Sequence, residues 1–499
     1  MKYLILSIFF TLTISASTLH LSISSNPSKL NPLIATDSAS GEISSWIFDA
    51  LLAYDKDGKI EPRLAKSYHF VDDTTLIFKL REGVRWSDGT IFNAQDVLYT
   101  YNLITSPKIY TPYSSEFRYV KSVKAIDDFT IEVKYKKPYF KALQTWMTDI
   151  IPKHILKKQD DIMTSSFNQH PIGTGMYMLK GFEISKDIKL DANPDYFRGK
   201  AHIDKIIYHF MPDPSTQFLM LRSHKLDVGS LTPLQIERQL DSDFKKYYKI
   251  YEKIAQSYTY LGFNFKNPKF KDPRVREALS LAIDRQELVD ILFFGHGQVC
   301  NGPFMPGTFA YNKNIKAPKQ NIKKAISLLK EAGYDKKHPF SFEIVTNSNN
   351  QIRVYATQII QHQLQKAGVK VTIRTMEWQA FLNTVVMPKK FEAVVLGWGL
   401  GLMPDAYSIW HSEGSKKGGF NFISYKNKTV DTLIKKAEGT IDQKKLGEIY
   451  QKIFALIVND NPYLFLYIPN AITVVNKDIK NVSQSIIGVM HNVNDWIKP

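Results

Sequence analysis

An α/β protein of two or three domains is what the sequence predicts, and three observations lead there. The chain has 499 residues, 44% hydrophobic and 13% aromatic, which is enough apolar material for a large core and more than one domain normally uses. Between Phe340 and Thr375 a strand-like run, a helical stripe stopped by Gly368 and a second strand-like run follow one another as in a right-handed parallel βαβ unit. Elsewhere short strands and amphipathic helices alternate without a repeat, a low-complexity tract or a long linker, so the domains are expected to be joined by short crossings.

The elements follow in order. Residues 1–17, MKYLILSIFFTLTISAS, place Lys2 before an apolar run and end in small residues, the pattern of a secretory signal peptide. The run is too short to span a bilayer, and no cysteine follows it to carry a lipid, so an exported periplasmic protein that is not a lipoprotein is expected. Leu19 to Ser24 alternates as a strand. Gly41 to Leu52 reads as a helix with Ile43, Trp46, Ile47, Ala50 and Leu51 on one face. Thr75–Leu80 and Thr130–Tyr135 read as strands, and the helix between them has Asn93 as its N-cap with Asp96 three residues on. Asp72, Asp73, Asp127 and Asp128 sit where turns need side-chain acceptors. Asp272 and Pro273 open a helix whose stripe runs through Val275, Leu279, Ala282 and Ile283 toward Leu292, with Gly295 as its stop. After the βαβ unit, Glu392 to Trp398 supplies another apolar strand.

Several functions are disfavoured by composition and motif. The formal charge of +17 is spread among acids, as in KKQDD at 157–161, without a basic run or arginine cluster, so no nucleic-acid partner is expected. The single cysteine, Cys300, excludes an intramolecular disulfide and reads as an idle thiol. HExxH, GxSxG, a Walker loop and CxxC are all absent, and GTG at 173–175 is too short for a dinucleotide fingerprint. No enzyme and no cofactor are expected. Of twelve histidines, His296, His411 and His491 lie in loops where a metal complex could reach them.

The stretch LGWGLGLMPDAYSIWHS, Leu396 to Ser412, leaves an apolar strand and combines glycines, aromatic rings and one carboxylate. Glycines admit close backbone approach and aromatic faces cover organic surface. Ligands of open α/β sheets sit beyond the carboxyl ends of strands, so Trp398, Tyr407 and Trp410 are expected to wall a cleft. Trp46 is expected to be packing.

Four segments in order, LAKSYHFVDDTTLIFKLREGVRWSDGTIFNAQDVLYTYNLI from Leu64, PIGTGMYMLKGFE from Pro171, DPRVREALSLAIDRQELV from Asp272 and NFISYKNKTVDTLIKKA from Asn421, resemble the extracellular solute-binding proteins of family 5, the peptide and nickel-chelate receptors of ABC importers. The resemblance implies a periplasmic binding protein type II-like fold: two α/β lobes with a hinge, plus an extra domain. It places domain I in residues 18–47, 153–258 and 470–499, domain II in 48–152 and domain III in 259–469. It also implies a monomer that closes on its ligand and meets the membrane only through a permease and its ATPase subunits.

Peptide-binding relatives read W-x-x-D-Y here, their aspartate holding the peptide ammonium. The matching position is Gly401, which leaves Asp405 as the expected cation partner. Tyr260 to Asn264 are expected to offer backbone contacts, and Asn421 belongs to the expected site. Nickel-chelate relatives use arginines, and the TWMTDIIPKHI segment has none. The expected function is therefore peptide capture; the alternatives are a nickel-chelate receptor with His411, His296 or His491 near the complex, and, from another class, a periplasmic hydrolase or chaperone.

Overall fold

The computed structural model describes residues 16–158, 161–416 and 419–499; most of the expected signal peptide lies outside these. Three larger sheets organise the chain. In the first, Thr18–Ile23 runs parallel to Lys205–Phe210, which continues antiparallel through Asp187–Ala192 to Tyr177–Glu183. The second is an antiparallel sheet of Ala65–Asp72, Thr75–Leu80, Thr130–Tyr135 and Val120–Asp127. Its tight turns use aspartates as expected: Asp72 accepts from the Thr74 amide at 2.7 Å and Asp127 from that of Phe129 at 2.8 Å.

The third sheet is built around one long strand, Tyr463–Asn476. Its first half pairs with Ser257–Phe263 and Gly297–Val299, and its second half with Tyr248–Ile254 and Val228–Ser230. Beyond Ser257–Phe263 lie Ala393–Gly399, Ser341–Asn347 and Lys370–Met376. Ser341–Asn347 and Lys370–Met376 are parallel and flank the helix Gln351–Lys366, which is the expected βαβ unit; Gly368 leaves it at φ +80°.

Burial divides along the same line. One apolar core joins the first two sheets and draws on residues up to Tyr251 and from Val475 onward. Two others lie wholly between Tyr258 and Ile468, and a small one gathers Phe218, Phe244, Tyr248 and Val474. The chain thus forms two lobes with separate cores. Phe140, half-buried, packs against the core of each.

Local chemistry explains where elements start and stop. Asn93 caps Ala94–Ile104, and Asp96 closes the capping box while also accepting from the Trp86 indole and the Lys153 amide. Two expectations are corrected. The first helix is Ser38–Ile47, begun by Asp37 and ended at an extended Phe48, so Ala50 bridges Asp149 and Leu52 opens a strand instead of extending the helical face. The stripe from Asp272 is two helices, Pro273–Ala282 and Arg285–Phe293, because the Asp284 carboxylate accepts from the amides of Gln286 and Glu287 and starts a new N-terminus. Trp46 is packing, its indole donating to Tyr208 at 2.9 Å. The GTG glycines allow close approach, since a Cβ on Gly173 would lie 1.7 Å from the Ile47 carbonyl oxygen.

Beside the first helix, Asp49 and Asp149 face each other in crowded surroundings. Burial pushes Asp49 up to about 6, and burial together with the Asp49 charge pushes Asp149 up to about 7. The folded protein therefore holds protons that the unfolded chain releases above about pH 4. Stability should fall as pH rises from about 4 to about 7 and level off above that. Thermal melts of Asp149→Asn should lose part of this slope and lie above those of the parent protein at pH 8; an unchanged slope would refute the assignment.

Candidate functional site

Between the lobes lies a cavity of about 820 Å³. The first lobe contributes Ser24, Thr36, Asp37, Tyr113, Glu116 and Lys141, and the second contributes the carboxyl ends of two of its strands, at Asn347 and at Leu396 to Gly401. A ligand here would sit beyond those strand ends, the position favoured in open α/β sheets. The volume falls within the roughly 300–1,000 Å³ of sites that enclose drug-sized molecules.

One wall is aromatic. Trp398 is half-buried, its ring parallel to Phe422 at 5.3 Å and edge-on to Phe420 at the same distance, and its indole N–H donates to the Tyr463 hydroxyl at 3.2 Å. The ring is thereby fixed, with only part of its surface left for a ligand.

Next to Trp398 stands a cation without a counter-ion. Arg353 projects from the first turn of the helix Gln351–Lys366, and its Nη1 donates to the Asn347 side chain at 3.1 Å. Its Nε is buried without an acceptor, and among the described residues no carboxylate pairs with it. Burial pushes its pKa down, opposed only by Tyr467 and Tyr260. An arginine keeps its proton regardless, so the charge remains, desolvated and exposed to whatever enters the cavity. The glycine run makes room for it: a Cβ on Gly397 would stand 2.6 Å from Arg353 Nη2.

At the opposite side the two lobes meet through charges. Lys141 Nζ lies 2.7 Å from Glu116 and, across the seam, 3.5 Å from Asp405. Asp405 also accepts from the Tyr407 amide and the Ser408 hydroxyl. Burial pushes its carboxyl up, but Lys141 and Arg118 more than reverse this and hold it well below the usual range. Arg118 stands 3.7 Å over the Tyr407 ring and pairs with Glu438, which also accepts from the Tyr119 hydroxyl.

Of the residues expected from sequence, Trp398, Gly401 and Asp405 line the cavity. Asp405 is already engaged by Lys141 instead of being free for a ligand. The others lie outside the cavity lining, Tyr407 at the seam between the lobes and the rest inside the second lobe. Tyr260 is fully buried and stacked on Tyr463 at 3.7 Å. Tyr407 packs between Arg118 and His411, and Trp410 meets Tyr463 at 4.8 Å. Asn264 donates to the carbonyls of Lys389 and Phe391, and Asn421 donates to those of His411 and Tyr425, so both tie loops.

The three histidines are far apart in role. His411 is 2% exposed, with Nδ1 accepting from the Glu413 amide. His296 lies between Glu252 and Glu237, and His491 contacts Ser483 and the Gly488 carbonyl. None lines the cavity, and among the described residues no three His, Cys, Asp or Glu side chains are placed to hold a metal. Cys300 is buried, its thiol pushed up to about 12 by burial. Sequence reading missed Arg353, Lys141 and Glu116. Arg353 could have been found from its place just after the carboxyl end of a predicted strand.

A two-lobed receptor that encloses a small solute is the class of protein this fold and cleft define. The comparisons agree. The family "Bacterial extracellular solute-binding proteins, family 5 Middle" matches residues 59–420, and the chain belongs to it. The oligopeptide-binding protein AppA of Bacillus subtilis strain 168 is 32% identical over 489 residues, covering 94% of this chain and 89% of that protein. The solved structure of AppA from Bacillus subtilis with a nonapeptide has a TM-score of 0.91 at 31% identity, covering 97% of this chain and 99% of that one. NikZ of Campylobacter jejuni, solved with Ni(L-His), has a TM-score of 0.86 at 27% identity, covering 97% of this chain and 100% of that one.

The fit of Gly397 against Arg353 generates a test. Gly397→Ala should displace the guanidinium and weaken ligand capture while leaving the melting temperature within a few degrees of the parent; calorimetry showing undiminished affinity would mean that Arg353 need not occupy this place.

Proposed function

We propose that the protein is the periplasmic binding component of an ABC importer, that it captures short peptides between its lobes, and that it delivers them to an inner-membrane permease served by ATPase subunits. The observation that carries this reading is Arg353, a guanidinium without a carboxylate partner in a cavity of about 820 Å³ with an aromatic wall. Guanidinium and carboxylate match in charge and fork geometry, so a peptide's terminal carboxylate would supply the missing counter-ion while its side chains cover Trp398. Support comes also from the oligopeptide-binding relative. The ligand's free energy of capture would draw the lobes together, and closure would extend only as far as the closed form binds better than the open one.

The expected partition, with domain I in 18–47, 153–258 and 470–499, domain II in 48–152 and domain III in 259–469, is part of this proposal. In it the chain crosses between lobes near Ala255 and Asn470, where the pairing of the long strand changes partners. Export through residues 1–17 and a role without catalysis are proposed with it. Among the described residues no helix is long and apolar enough to cross a membrane.

A second reading, a receptor for a nickel complex of amino acids, is favoured by the same arginine, because such a complex presents carboxylates and brings its own metal ligands. Native mass spectrometry of the purified protein, and titration with nickel with and without free histidine, separates the two. Under the peptide reading, Arg353→Gln should weaken free-acid peptides by about 2–5 kcal/mol and leave C-terminally amidated ones almost unchanged. Equal losses for both would remove the carboxylate assignment.

A further inference from the structure

The charged seam makes contacts that no ligand is needed to complete. Glu116, Lys141 and Arg118 belong to the lobe of the first two sheets, and Asp405 and Glu438 to the other. The Lys141 side chain is 6% exposed and that of Glu438 3%. The Phe140 amide donates to the Glu438 carbonyl at 3.3 Å, and the Phe140 ring meets Tyr450 at 6.2 Å. Each of these contacts requires the lobes to be together, and each is made by protein atoms alone. When the lobes part, Asp405 keeps its hydrogen bonds to Tyr407 and Ser408, because these are within its own loop, but it loses Lys141. Glu116 keeps Lys141. The Lys141–Asp405 pair is therefore an interaction that reports on closure and not on folding.

We propose that Lys141, reaching across the seam to Asp405, is a latch by which the protein stabilises its own closed form whatever fills the cleft. The proposal rests on the two-lobed receptor reading but not on the identity of the ligand. A closed form favoured in the empty protein raises the apparent affinity for every ligand by the same factor, the inverse of the cost of conformational selection. Lys141 is on this view a positioning residue. Its partner is a protein carboxylate, so a ligand need not bring an amine to close the lobes.

The test uses the full mature chain, stripped of co-purifying ligand, with reporter labels on Asp73→Cys and Lys319→Cys, exposed positions on opposite lobes. Cys300 is buried and does not compete for label. The distance distribution of the empty protein should include a closed population that declines as ionic strength rises, as expected for a partly screened pair. Lys141→Gln should reduce that population several-fold, and Asp405→Asn should do the same while keeping the acceptor that caps Tyr407. The double variant should be no worse than the more severe single one, because both remove one interaction.

Affinities of the variants for unrelated ligands, including N-acetylated and free-amine forms of one peptide, should fall by one common factor. An unchanged closed population in both single variants would overturn the latch. So would an affinity loss confined to free-amine ligands, which would make Asp405 a ligand contact. Failure of the receptor reading is distinguishable from either: the parent protein would then bind nothing, while its salt-dependent closure could still be measured.

Discussion

The structure depends on one strand that belongs to both lobes. Tyr463–Asn476 is paired along its first half inside the second lobe and along its second half inside the first. Backbone pairing is strong and directional, so the strand holds the two halves in register, and near Asn470 its partner changes from Gly297–Val299 to Tyr248–Ile254. The separate apolar cores on either side mean that relative motion exposes cleft surface without breaking a core. A receptor of this kind needs a rigid interior in each half, and core segregation provides it.

The cleft is electrostatically divided. At one end a cation, Arg353, lacks a carboxylate partner; at the other Glu116, Asp405 and Glu438 are set against Lys141 and Arg118. Desolvated charges are costly unless paired, so the two ends behave differently on closure. The acidic end satisfies itself from across the seam, while the Arg353 end is satisfied only by something that enters. On the proposed reading, the arginine and the Trp398 wall would set specificity, and the seam would set how readily the lobes meet.

Much of the fold was legible in the sequence because it is written in local chemistry. The capping box at Asn93 and Asp96, the turn aspartates and the stop at Gly368 each act within a few residues. Where local signals competed, reading failed: Asp284 looks like one polar residue in a continuing stripe, yet it starts a second helix. The segments that carried the family resemblance prove to be mostly structural. Asn421 ties a loop, Arg285 donates to the Phe465 and Ser280 carbonyls, and Gly173 clears the end of a helix. They announce the fold and say little of the ligand.

The site was less legible because its chemistry is assembled from a distance. Lys141 and Asp405 are far apart in the chain, and Arg353 meets Gly397 only after two strands have paired through the sheet. Aromatic residues following Trp398 gave a misleading cue: Tyr407 and Trp410 have the composition of a binding wall, but Tyr407 packs under Arg118 at the seam and Trp410 is buried within the second lobe. The close fit of Arg353 against Gly397 also has an evolutionary reading. Neither position can be changed freely while the other stands, since any side chain at 397 evicts the guanidinium and loss of the guanidinium leaves a gap beside a bare backbone. In descendants of this chain that acquire a different cargo, the two should drift as a pair.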